Sequence, residues 1–86
     1  MMNNFKGELI MVVRYDIRVN IGDDNITVNF QFAHKDYMNL SKDQQDKQFD
    51  KAVKELDHVY KDYGRFATTK GVYNLFESFG FIPSTP

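Results

Sequence analysis

VRYDIRVNIGDDNITVNFQFA, residues 13–33, decides the fold of this chain. Val13, Tyr15, Ile17, Val19 and Ile21 alternate with Arg14, Asp16, Arg18 and Asn20. After a break, Ile26, Val28, Phe30 and Phe32 alternate with Thr27, Asn29, Gln31 and Ala33. Successive side chains of a strand point to opposite faces, so a period of two over this length reads as two half-buried strands. Gly22-Asp23-Asp24-Asn25 between them has the residue types of a hairpin turn. Pairing Ile21 with Ile26 also sets Val19 against Val28, Ile17 against Phe30 and Tyr15 against Phe32. A slip of one residue would oppose apolar and polar side chains, so the register is firmly specified.

The polar face of this hairpin carries Arg14, Asp16, Arg18, Asn20, Thr27, Asn29 and Gln31. Ile10, Val12 and Tyr37 add apolar residues to the same side.

Beyond the hairpin the period changes. Ser41 followed by Gln44 fits a capping box, in which each residue's side chain satisfies the other's backbone N–H. Phe49, Ala52, Val53, Leu56, Val59, Tyr60 and Tyr63 then recur on one side of a helix, over about 120° of arc. Gly64 is placed to end it. Thr69 is expected to cap a second, short helix with Val72, Leu75, Phe76 and Phe79 on one face, closed by Gly80 and Pro83. The competing reading makes residues 66–75 a third strand, because Thr68, Thr69, Val72 and Tyr73 favour strands. The helix is preferred.

The expected fold class is therefore α+β, in the order β-β-α-α, as one domain over residues 1–86 with tails at 1–6 and 83–86. Two strands make a marginal sheet, and both would be open edges. A homodimer that joins two hairpins into a four-stranded antiparallel sheet is the expected remedy. A monomer with edges guarded by charge or by a third strand is the alternative.

Composition narrows the function. The 86 residues hold eight Phe and five Tyr, enough bulk for a small core, and 42% of the chain is hydrophobic. The net charge of −1 argues against a strongly basic nucleic-acid clamp. There is no Cys, which removes disulfides, thiolate metal sites and cysteine nucleophiles, and a cytoplasmic setting is the simplest. The longest apolar run, Leu9–Val13, is too short for a signal core or a membrane span.

Several groups of side chains bear on function. Arg14, Arg18, Asn29 and Gln31 are side-chain types that read base edges, and a two-stranded ribbon fits a major groove. Asp16 lies between the two arginines and opposes that use. Lys47, Lys51 and Lys54, with His58 and Lys61, form a basic helix stripe that could assist on phosphates. Asp43, Asp50 and Asp57, each four residues before a lysine of that stripe, suggest self-paired surface charge instead.

Tyr73, Phe76, Phe79 and Phe81 make an aromatic C-terminal cluster that supplies either core or interface. His34 falls at the rim of the core and His58 on the exposed side of the helix. Neither belongs to a metal or catalytic motif, and the adjacent Asp23 and Asp24 read as turn formers. The five glycines form no phosphate loop.

No cofactor, metal, membrane contact or catalytic residue is expected. The leading expectation is a small non-enzymatic binding or regulatory protein that works through protein–protein contacts as a homodimer. A compact lone domain of this kind would suit a modulator carried by a phage or mobile element. The alternative is a dimeric nucleic-acid-binding regulator that reads through Arg14, Arg18, Asn29 and Gln31. An enzyme built from His34 and tyrosines across a dimer interface is the least favoured reading.

Overall fold

A computed structural model describes residues 12–62 and 66–84. Strand β1, Tyr15–Ile21, and strand β2, Ile26–His34, form the antiparallel hairpin. Helix α1, Lys42–Asp57, follows and runs into a π-helical turn, His58–Asp62. Helix α2, Thr69–Ser78, and strand β3, Phe81–Pro83, complete the order. The sheet order is β1-β2-β3.

The hairpin register is the one that the alternation specifies: Tyr15 pairs with Phe32, Ile17 with Phe30, Val19 with Val28 and Ile21 with Ile26. The turn needs left-handed backbone at both ends, and Gly22 (φ 72°) and Asn25 (φ 57°) are residue types that tolerate it. The inner face of the sheet meets both helices. Phe32 stacks on Phe76 with ring centroids 4.6 Å apart, and Tyr15 stacks on Phe49 at 4.5 Å. Phe30, Phe32, Ala52, Val72, Phe76 and Phe81 are sealed at the centre of the core.

Helix α1 starts at the expected capping box. The Ser41 hydroxyl accepts from the Gln44 N–H at 3.1 Å, and the Gln44 Oε1 accepts from the Ser41 N–H at 2.9 Å. Its α-helical geometry ends at Asp57, earlier than the stripe suggested, and the π turn re-aims the two residues that continue the stripe, Val59 and Tyr60. The Tyr60 hydroxyl lies where a side chain on Gly71 would have to go. Tyr63 and Gly64 lie outside the described residues.

The second helix forms, and the strand reading of 66–75 does not. Its cap is Thr68, one residue before the expected Thr69, with the Thr68 hydroxyl accepting from the Gly71 N–H at 2.9 Å. Gly80 (φ 90°) turns the chain out of the helix.

The expected order changes at its last step. Residues 81–83 form β3, which pairs antiparallel with the end of β2: Phe81 with His34, Ile82 with Ala33 and Pro83 with Phe32. The Ser84 N–H donates to the Gln31 carbonyl at 2.9 Å. Pro83 thus closes an edge strand, a position where a missing N–H costs little, so the expected tail begins inside the sheet, while residues 1–6 and 85–86 of the expected tails lie outside the described residues. Each chain brings three strands, so joining two chains edge to edge would give six strands, not four. The α+β class and the hairpin followed by a long and a short helix stand.

β3 covers β2 only from Phe32 to His34. Among the described residues no strand pairs with Ile26–Phe30 on that side, nor with the other edge of β1. At the end of β1 the Gly22 N–H donates to the Ala67 carbonyl at 3.0 Å, which marks where that edge stops.

Candidate protein-interaction edge

Period two in the hairpin sends Arg14, Asp16, Arg18, Asn29 and Gln31 to the face away from the helices. Arg18 pairs across the strands with Asn29, and Asp16 with Gln31. Arg14, Arg18 and Asn29 are exposed and Gln31 is half-buried. Part of this face is engaged within the chain. Arg14 Nη1 donates to the Ser84 hydroxyl at 3.0 Å, and the Thr27 hydroxyl donates to Asn20 Oδ1 at 3.0 Å. The four expected readers therefore share one surface, with the Asp16 carboxylate among them.

The basic stripe lies elsewhere. Lys47, Lys51, Lys54, His58 and Lys61 are all exposed on the side of α1 opposite Phe49, Ala52 and Leu56, which face the sheet. The sheet's outer face and this stripe are thus on opposite surfaces of a two-layer fold. One duplex lying flat on the strands would not meet Lys47, Lys51 and Lys54 of the same chain. Among the described residues the helix ion pairs that close are Asp50–Lys54 at 3.1 Å and Lys42–Asp46 at 2.8 Å.

The aromatic cluster separates into two kinds. Phe76 and Phe81 are wholly buried, so neither can contact a partner directly. Phe81 packs edge-on to Tyr15, Phe49 and His34, because pairing with His34 sends its ring to the inner face. Tyr73 keeps 38% of its surface exposed while its ring packs edge-on to Phe30 and Phe32, and Phe79 is half-buried.

His34 is buried, and both ring nitrogens are committed. Nδ1 accepts from the Asp36 N–H at 3.0 Å, which leaves Nε2–H to donate to Gln48 Oε1 at 2.6 Å. Its ring lies against Gly80, where a Cβ would come within 2.5 Å of Nε2. This is a packing and hydrogen-bonding role. Among the described residues no group of three or more His, Asp or Glu side chains could hold a metal ion, and no helix is long and apolar enough to cross a membrane.

One charged contact joins the two layers. The Tyr15 hydroxyl donates to Asp46 Oδ1 at 2.6 Å, and Lys42 Nζ holds Asp46 Oδ2 at 2.8 Å. Burial, reinforced by the Asp46 charge, pushes the Tyr15 phenol well above its ordinary range. The donors on Lys42 and Tyr15 hold the Asp46 carboxyl below the usual carboxylate value. The Asp46 carboxylate in turn raises Lys42.

The feature that single-residue reasoning missed lies beside β1. A cleft of about 590 Å³ runs between the β1 edge and the end of α1 with its π turn. Ile17, Val19, Val53, Leu56, Tyr60 and Phe66 give it apolar walls, and Arg18, Asp57 and Lys61 stand among its polar lining residues. Phe66 is 63% exposed. The available signal was the half-buried pair Ile17 and Val19 on a strand with one partner, together with an isolated Phe66 between two helices. No family model, curated protein or solved structure matches this chain.

Proposed function

We propose that this chain is a non-enzymatic binding protein that acts through protein–protein contacts made along the edge of β1. One observation carries the reading. A seven-residue strand has no strand partner on one side among the described residues, and an apolar cleft runs beside that edge. An added strand would gain main-chain hydrogen bonds from the edge and side-chain pockets from the cleft, which is how extended segments are recognised by sheets. Exposed edges are otherwise a hazard for a soluble chain, so a partner there also has a protective value.

Selection of a displayed random-peptide library on the immobilised protein tests this. Enriched peptides should be extended, with apolar residues at alternate positions, and should shift the backbone amide signals of Tyr15–Ile21 and Phe66. Enriched peptides that shift only the outer sheet face would count against the edge.

A second reading is supported by the shared surface of Arg14, Arg18, Asn29 and Gln31. In it the outer sheet face contacts nucleic acid. Fluorescence anisotropy of labelled duplex DNA, single-stranded DNA and RNA at low and physiological salt decides it. Binding that weakens steeply with salt and is lost in the Arg18→Ala, Asn29→Ala variant would favour this reading. No binding at low salt would discard it.

A further inference from the structure

We infer that the partner at the β1 edge is a second copy of this chain, added as an antiparallel strand about a two-fold axis that passes through Ile17. The assignment rests on the strand-addition reading of β1 and names the occupant.

The argument begins with self-complementarity. A two-fold axis pairs each residue of an edge with a residue of the same edge in the other copy. To keep the inner face continuous, odd-numbered residues of β1 must meet odd-numbered residues. Three registers then centre on or beside the middle of the strand, at Ile17, Arg18 and Val19, and the last would set Asp16 opposite Gly22, whose N–H is taken by Ala67. Centring on Arg18 sets the two Arg18 side chains directly opposite each other, and like charges in that position repel. Centring on Ile17 sets Asp16 opposite the partner's Arg18, and Arg18 opposite the partner's Asp16, which gives two opposite-charge pairs on the outer face. The inner face then pairs Ile17 with the partner's Ile17, and Tyr15 with the partner's Val19.

The geometry of the edge agrees with this register. Gly22 is already bound to Ala67, so the available edge ends at Ile21. Centring on Ile17 places Val13 opposite the partner's Ile21, and the paired stretch ends where the edge ends. Asp16 and Arg18 are both exposed on the outer face, in reach of a strand at the usual spacing of about 4.8 Å. A two-fold axis perpendicular to the sheet keeps both helical layers on one side. The half-buried Ile17 and Val19 are then covered along the seam, beside the clefts of the two copies. The same arrangement accounts for Asp16 standing between two arginines on a face otherwise suited to anions.

The chain has no cysteine, so single-cysteine variants report the register without background. Ile17→Cys and Arg18→Cys should be oxidised and examined for covalent dimers. Residues directly opposite in antiparallel strands have Cα atoms about 4.5–5.5 Å apart, within disulfide reach, whereas those two places out of register do not. Ile17→Cys should cross-link and Arg18→Cys should not, and the reverse pattern overturns the register.

Because Ile17 is half-buried, a second measurement uses exposed positions only. Sedimentation equilibrium should show a dimer for the native chain. Asp16→Arg should raise the dimer dissociation constant at least about tenfold, and Asp16→Arg with Arg18→Asp should restore it. A native chain that stays monomeric at every concentration, or a double variant no tighter than Asp16→Arg, overturns the assignment. The two readings fail separately. A monomeric native chain that still takes library peptides at β1 overturns the second copy and leaves strand addition standing. A native dimer with the predicted charge-swap response supports the second copy, even where the monomeric Asp16→Arg variant takes no peptide.

Discussion

Strand β2 has two different environments along its length. From Phe32 to His34 it is paired with β3, and at Phe32 with β1 as well, and its side chains are buried on both faces. At Ile26 it has β1 alone, and Ile26 is 61% exposed although it points to the inner face. The gradient separates two tasks. The closed end holds the aromatic core, and the hairpin end leaves strand edges and the β1 cleft available. A chain of this size has one thin core, and the strand edge left open lies at the end that contributes least to it.

The largest effect should come from the closed end. Phe76→Ala removes the ring stacked on Phe32 and touching Phe81, and should cost about 3–5 kcal/mol. That is a large part of the stability of an ordinary small domain, so denaturant titration should show a chain near the unfolding limit. An unaltered midpoint would mean that the core does not centre on this stack.

Gly80→Ala comes next. It forces a side chain onto left-handed backbone and into the His34 ring, and should cost about 1–3 kcal/mol by thermal melt. Ser41→Ala removes one half of the capping box and should cost about 1 kcal/mol. At the open end Ile26→Thr keeps the β-branch, and should change stability by less than about 0.5 kcal/mol. Amide exchange sharpens the same contrast, with Phe32–His34 expected to be slower than Ile26–Val28.

The contact between the layers adds a pH dependence. The Asp46 carboxyl is lowered in the folded chain, so its contribution is complete above the ordinary carboxylate value of 3.8 and is lost as pH falls through the folded value. Tyr15 and Lys42 are raised, so their contributions are complete below 10.0 and 10.5 and are lost as pH climbs through the folded values. Asp46→Asn should flatten the acid limb of a stability-against-pH curve and reduce the alkaline one, where the part that burial gives Tyr15 remains. Tyr15→Phe should weaken the acid limb and leave only the lysine's part of the alkaline one.

What the sequence made legible was local. The Val13–Phe32 alternation and the Ser41–Gln44 box each place their signal within a few residues or across one turn. β3 was not legible because three residues are too few to show a period, and Pro83 reads as a stop unless an edge position is known to await it. The π turn at His58–Asp62 has no residue signature. The Tyr15–Asp46 bond and the seating of His34 on Gly80 join residues far apart in the chain, and only the fold brings them together. The candidate edge was half legible. Arg14, Arg18, Asn29 and Gln31 shared a face as expected, but the cleft depends on how α1 ends and on where Phe66 falls.

β3 also has a kinetic consequence. The β1–β2 hairpin closes over a four-residue turn, an event of microseconds in isolated hairpins. The β2–β3 pairs join residues about fifty positions apart, with both helices between them, so they carry a large loop-closure cost and should form late. Weakening β3 should therefore hasten unfolding while leaving the refolding rate nearly unchanged. The last strand to join the sheet then acts as its latch.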